Sequence, residues 1–144
     1  MRSSSTNATY TALLKFLYNA NRTHSVKMEL GKLRVIDRVL GSPLATLPRV
    51  VHVAGTNGKG SVSWKVAAAL SASGLRTGLF VSPHVTSYRE RMRVDGELIS
   101  EDAVATLLPT IVAACESCRV QPSFFELTTL LAAMHFRRAA VDAV

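Results

Sequence analysis

The sequence predicts an α/β fold: a P-loop-containing, mostly parallel sheet flanked by helices. Three observations carry this expectation. Val50-Val51-His52-Val53-Ala54 is a short continuous apolar run, the mark of a strand buried on both faces. A glycine-rich stretch from Gly55 to Ser61 follows it directly and opens a helical pattern that Gly74 closes. Thr77 to Val81 then reads as a second buried strand. Strand, Gly-rich loop, helix, strand is the opening of a βαβ unit, whose strands run parallel.

The remaining elements follow in chain order. The first 28 residues hold no acid, and Arg2 with Ser3, Ser4 and Ser5 would also suit a mitochondrial transit peptide. Tyr10, Leu13, Leu14, Leu17 and Tyr18, however, fall on one helical face, and a native first helix is the preferred reading. A basic-polar stretch, Asn21 to Lys27, leads to a second helix with Leu33, Ile36, Val39 and Leu40 on its apolar side and Gly41 at its end. Ser42 to Pro48 reads as a loop because Pro43 and Pro48 break both repeating structures. The helix after the Gly-rich loop spans about Gly60 to Ser73.

Arg89 to Val94 alternates like a strand, and Asp95-Gly96 is a strong hairpin signal. Ser100 suits an N-cap, with Glu101 and Asp102 in the first turn, where acids complement the helix dipole. Val104, Leu107, Leu108, Ile111, Val112 and Cys115 continue at helical spacing, with a kink expected at Pro109. A last helix runs from about Phe124 to Arg138, and Ala139 to Val144 starts another buried strand. Trp64, Phe124 and Phe125 are expected in the core.

Composition narrows the functional classes. At 144 residues, 48% hydrophobic and 19% charged, the chain is one domain's length and can bury a core. No apolar run reaches the roughly 18 to 20 residues that cross a bilayer. Lys and Arg number 17 against 10 Asp and Glu, a net charge of +7 that favours anionic partners without choosing among them. Basic residues are not clustered with aromatics and no zinc-finger or RRM pattern occurs, which argues against nucleic acid. Two cysteines are too few for a disulfide framework, and Cys115-x-x-Cys118 without a second pair reads as two inert thiols.

The sharpest motif is Gly55-Thr56-Asn57-Gly58-Lys59-Gly60-Ser61 between the strand and the helix. Glycines let a backbone turn tightly and bring N–H groups onto phosphate oxygens. A helix N-terminus adds partial positive charge, Lys59 a full one, and Ser61 a hydroxyl suited to Mg²⁺. The spacing is shorter than in the common Walker A loop, and Gly60 stands where Ser or Thr usually follows Lys. Arg89, Arg91 and Arg93, alternating on a strand, would share one face as either a solvated surface or an anion cradle. Ser123-x-x-Glu126 before an apolar run is a capping-box pattern.

Val53 to Ser61 resembles the ATP loop of the folylpolyglutamate synthase and dihydrofolate synthase family, in the Mur ligase superfamily. Ser82-Pro83-His84 matches that family's second signature, Glu90-Arg91 its third and Phe125-Glu126-Leu127-Thr128-Thr129 its fourth. Leu30-Gly31 with Arg34 fits the folate-side segment before the loop. These motifs stand in order between residues 27 and 129, so the likeness covers nearly the whole chain.

The resemblance implies a Mur-ligase-like ATP-binding domain over 1–144 and ATP-dependent addition of L-glutamate to folate or dihydropteroate through an acyl phosphate. It implies that Asn57, Gly58, Lys59, Gly60 and Ser61 hold ATP, with Lys59 acting in catalysis, and that Ser82 and Glu126 ligate Mg²⁺. Lys27, Met28, Glu29, Leu30 and Arg91 would contact substrate, with Glu29 where relatives often carry Asp. The family is further expected to be monomeric at full length, cytoplasmic or mitochondrial, with no membrane or nucleic-acid partner. Its members run to several hundred residues with a C-terminal domain, so this chain is expected to be an N-terminal part and inactive alone. The runner-up is a non-catalytic nucleotide-binding fragment that needs a partner chain.

Overall fold

The computed structural model describes residues 3–20 and 30–144. They form two compact units, one drawn from Met1–Ala45 with Glu101–Met134, the other from Thr46–Ser100 with His135–Val144.

The first unit is helical: α1 spans Ser3–Asn19, α2 Leu30–Val39, and α4 Glu101–Ser117. The long helix α4 packs against both α1 and α2. The periodicity of its sequence dictates which side it buries, because Val104, Leu107, Leu108, Ile111, Ala114 and Cys115 recur at helical spacing and all lie inside. Helix α1 contributes Tyr10 and Leu17, and α2 contributes Ile36. Val39, expected on the apolar side of α2, is instead 52% exposed. The buried side turns toward Asp37, whose carboxylate accepts the Leu44 N–H at 2.8 Å, while its carbonyl accepts Ser42 N–H. Holding the loop after the helix outweighs burying one more valine. Gly41, at φ 76°, ends α2 as its sequence position predicts.

Helix α5, Phe124–Arg138, starts in this unit with the reciprocal bonds of a capping box. Ser123 N donates to Glu126 Oε2 at 2.7 Å, and Glu126 N donates to Ser123 Oγ at 3.3 Å. Phe124 is buried and stacks on Tyr18 with ring centroids 5.6 Å apart, whereas Phe125 is 41% exposed, so only one of the two is core.

The second unit holds helix α3, Lys59–Ala72, and three strands, β1 Gly78–Phe80, β2 Met92–Val94 and β3 Glu97–Leu98. They form an antiparallel sheet in the order β1-β2-β3. Val94 faces Glu97 across a two-residue loop in which Asp95 (φ 49°) and Gly96 (φ 84°) are both left-handed. That is the primed turn the Asp-Gly pair predicts. Parallel pairing is present but brief. Thr77 bridges Ala143, Val144 N donates to Arg49 O at 3.2 Å, and Val51 N donates to Val144 O at 2.8 Å.

Three expected strands therefore change. Among the described residues, Ala139 to Val144 pairs only at the Thr77–Ala143 bridge and in the exchange of Val144 with Arg49 and Val51. Residues 50–54 are not a buried strand; Val50 and Val51 are 59% and 51% exposed. The apolar run records a preference, but a strand also requires neighbours, and the described ladder beside it is the single exchange with Val144. Residues 88–91 form a 3-10 turn rather than strand, because Ser87 and Glu90 build a capping box there and wind the chain tightly. The three arginines consequently do not share a face. Arg89 Nε bonds Ile99 O, Arg91 turns to His84, and Arg93 lies 4.6 Å over the Trp64 ring. Trp64 is accordingly 41% exposed and not core.

Candidate functional site at the carboxyl edge of the sheet

Direction of pairing positions the site. Arg49–Val51, Ala143–Val144 and Thr77–Gly78 run parallel, so the chain segments that follow Val51 and Phe80 emerge from the same edge. The first becomes the Gly-rich loop and the second becomes Ser82-Pro83-His84. Ala143–Val144 lies between the paired segments Arg49–Val51 and Thr77–Gly78. Ligands in α/β folds bind outside the carboxyl ends of parallel strands, and the parallel-paired segments 49–51 and 77–78 both lead into loops on this side.

The loop is shaped by glycine where the backbone demands it. Gly55 sits at φ 144° and Gly58 at φ 75°, the latter as the left-handed N-cap of α3. No side chain caps that N-terminus, so the first N–H groups of a 14-residue helix face the loop. A Cβ added at Gly58 or Gly60 would meet nothing within 4 Å, which leaves open space around the loop. Lys59 Nζ reaches back to Gly55 O at 2.6 Å and Thr56 O at 3.1 Å, bracing the turn while keeping its charge at the loop. Exposed amide donors, a helix N-terminus and an ammonium group form a donor set that fits a polyphosphate. Asn57, Lys59 and Ser61 are exposed on this segment.

Ser82 is exposed at the neighbouring loop. Beyond it, Glu90 performs a task its sequence position did not reveal. Its carboxylate accepts the N–H groups of Val85 (2.8 Å), Thr86 (3.1 Å) and Ser87 (2.7 Å), fixing the loop by three bonds. The S-x-x-E spacing of Ser87 and Glu90 was the available signal. Those backbone donors, Val85 first, hold the Glu90 carboxyl below its ordinary value of 4.5. A lowered folded-state value means that this stabilisation is present above about pH 4.5 and is lost as pH falls through the folded value. Glu90→Gln should therefore lower the thermal midpoint near pH 7 and shrink its difference from the parent as pH drops toward about 3, read by circular dichroism melts.

His84 accepts Arg91 Nε–H at its Nδ1, 2.7 Å away, and lies edge-on to Tyr88. Burial, then the adjacent guanidinium, lowers the His84 value. Arg91, expected to meet substrate directly, is only 7% exposed.

Glu126 belongs to the first unit, half-buried, with Oε2 engaged in the capping box. A carboxylate retains a second oxygen, so capping and Mg²⁺ ligation are compatible on this side chain. Leu30 opens α2 and is 66% exposed, whereas Lys27, Met28 and Glu29 lie outside the described residues. Among the described residues no group of three or more His, Cys, Asp or Glu is placed to hold a metal. Cys115 is buried and its thiol is pushed up to about 11, chiefly by desolvation, which suits an unreactive sulfur. Among the described residues, no helix is long and apolar enough to cross a membrane.

Comparison with known proteins places this geometry. The Escherichia coli dihydrofolate synthase/folylpolyglutamate synthase is 36% identical over 136 residues, covering 92% of this chain and 31% of that protein. The chain belongs to the folylpolyglutamate synthase/dihydrofolate synthase family. The crystal structure of Thermotoga maritima folylpolyglutamate synthase superposes with a TM-score of 0.85 at 34% identity, over 95% of this chain and 32% of that one. Escherichia coli FolC in complex with DHPP and ADP gives a TM-score of 0.82 at 33% identity, over 92% and 32%. The α/β fold is thus that of the solved folylpolyglutamate synthases. This chain spans about a third of the length of these relatives. No family model matches it.

Proposed function

We propose that the chain carries the nucleotide-binding part of an ATP-dependent ligase that joins L-glutamate to folate or dihydropteroate. The observation that carries the reading is the Gly55–Ser61 loop, built as an uncapped helix N-terminus with Lys59 braced against it, in a family with an ADP-bound member. The alternative, a nucleotide-binding fragment that acts with a partner chain, uses the same loop.

Asn57, Gly58, Gly60 and Ser61 would hold the phosphates through backbone and hydroxyl groups, and Lys59 would counter charge on the outer phosphoryl group. Bound Mg²⁺, held by Ser82 and Glu126 as the resemblance implies, would neutralise the phosphate oxygens. In the proposed reaction, the substrate carboxylate takes the γ-phosphoryl group and ADP leaves. The glutamate amine then attacks the acyl phosphate, forming an amide and releasing phosphate. Electrostatics and positioning carry such transfers, and this chain supplies both at the sheet edge. Lys27, Met28, Glu29 and Leu30 remain the proposed substrate contacts.

Calorimetric titration of the chain with ATP·Mg²⁺ tests the reading. Saturable binding near one equivalent is expected, and no heat from a chain shown to be folded would overturn it. Glu126→Gln separates the two roles of that carboxylate. Gln preserves a capping box, so stability should stay within about 0.5 kcal/mol of the parent. Mg²⁺-dependent ATP affinity should nevertheless fall roughly tenfold, because a neutral amide is a poor ligand for a hard cation. An unchanged affinity would leave Glu126 as a cap alone.

A further inference from the structure

Asn57-Gly58 stands in the middle of the Gly-rich loop, and Asn57 is the one asparagine of this chain that precedes glycine. Asn7, Asn19 and Asn21 precede Ala8, Ala20 and Arg22. Asparagine is chemically labile, and chain connectivity alone puts the Gly58 nitrogen within a five-membered ring of the Asn57 Cγ. Closure of that ring is normally hindered by a side chain on the following residue or by hydrogen bonds that hold the two groups. Gly58 has no side chain, and among the described residues no hydrogen bond engages the Asn57 carboxamide or the Gly58 N–H. Both residues are exposed and lie just ahead of α3, outside its hydrogen-bonded ladder. The φ of 75° at Gly58 strains any larger residue, so the conformation of the loop itself retains the pair. Asp95-Gly96 could close the same kind of ring but is tied down, since Asp95 Oδ1 accepts Thr77 N–H at 2.8 Å and the Ser71 hydroxyl at 3.3 Å.

We propose that Asn57-Gly58 is a self-modification site, where conversion of the Asn57 carboxamide to a carboxylate ends phosphate binding by the loop and bound nucleotide protects against it. The loss of binding and the protection rest on the ligase reading; the covalent step does not. In that step the Gly58 nitrogen bonds to Cγ of Asn57, and the bond from Cγ to the carboxamide nitrogen breaks. Ammonia leaves, carrying off the proton that the Gly58 nitrogen gives up. Water then adds to one of the two carbonyls of the resulting succinimide, giving aspartate or isoaspartate, with no change of oxidation state. Either product sets a negative charge among donors suited to phosphate, whose oxygens only accept. The isoaspartyl product also lengthens the main chain by one carbon, which displaces the start of α3. Nucleotide opposes the reaction because a Gly58 N–H held by a phosphate oxygen is not free to attack.

Incubation of the whole chain in warm, mildly alkaline buffer tests the site, with peptide mapping by mass spectrometry and enzymatic methylation of isoaspartate as readouts. Asn57 should convert first, to more isoaspartate than aspartate, while Asn7, Asn19, Asn21 and Asp95 lag behind. Conversion of Asn57 no faster than that of the other three asparagines would overturn the proposal. Calorimetry with ATP·Mg²⁺ then compares fresh and converted chain. Affinity should fall roughly tenfold or more, the scale of one like charge a few ångströms from phosphate near a protein surface. Undiminished affinity after conversion would overturn the functional part. Saturating ATP·Mg²⁺ during the incubation should slow conversion in proportion to occupancy, and an unchanged rate would overturn the protection. Asn57→Asp supplies the charge without the extra main-chain carbon and should reproduce the loss. Parental affinity in that variant, beside a weakened converted chain, would overturn charge as the cause. A fresh, folded chain that binds no ATP·Mg²⁺ removes the ligase reading and the switch with it, whereas selective conversion of Asn57 stands or falls on the mapping alone.

Discussion

Phe136→Ala is expected to cost about 3–5 kcal/mol, which is comparable to the whole stability of a marginal domain. The ring is 1% exposed near the end of α5. Within the second unit it lies directly against Gly78 at the start of β1, where an added Cβ would stand 2.9 Å from Cδ1, 3.0 Å from Cγ and 3.1 Å from Cε1. Glycine at 78 therefore lets the strand approach the helix, and the ring fills the space thus made. Gly78→Ala should cost about 1–3 kcal/mol, because a buried ring cannot withdraw as the tip of a flexible side chain could. The two substitutions share one contact, so they should not add. Gly78→Ala in a Phe136→Leu background should cost visibly less than in the parent, and urea unfolding of the four proteins measures the coupling. Strict additivity would mean that the strand and the ring relax independently, contrary to the close approach.

Much of this architecture was legible in the sequence, and the exceptions have identifiable physical causes. Local chemistry read well. Asp95-Gly96 specified a primed turn, Gly41 and Gly74 stood at helix ends, and the Val104–Cys115 pattern gave the buried side of α4. Each depends on residues within a turn or two of one another. The failures depended on neighbours. Val50 to Ala54 has the composition of a central strand, but pairing is a property of what lies beside it. Arg89, Arg91 and Arg93 alternate as a strand would, yet the Ser87–Glu90 capping box fixes a 3-10 turn first. The candidate site divides in the same way. The contiguous loop from Gly55 to Ser61 was readable because its whole function sits in one segment. The Arg91–His84 bond and the hold of Glu90 on three amides were not, since both depend on how the loop after β1 folds back.

Lys59→Ala should weaken ATP·Mg²⁺ binding by about 2–3 kcal/mol, roughly 30- to 150-fold, the range for a hydrogen bond to a charged group. Two separate losses combine in that figure. The ammonium supplies the one full positive charge within the Gly55–Ser61 loop, beside the partial charge of the α3 N-terminus. It also ties Gly55 O and Thr56 O together, so its removal frees the loop to sample other shapes before nucleotide arrives. Gly58→Ala isolates the second loss. Space at that position is open, so the added methyl acts only through φ 75°, at a backbone cost of about 1–2 kcal/mol, with the ammonium retained. If charge dominates, Lys59→Ala should flatten the salt dependence of binding, whereas Gly58→Ala should weaken binding and keep that dependence. Calorimetry at two ionic strengths separates them. Parental affinity in Lys59→Ala would take the phosphate role away from this loop, whatever the likeness of its sequence to the family.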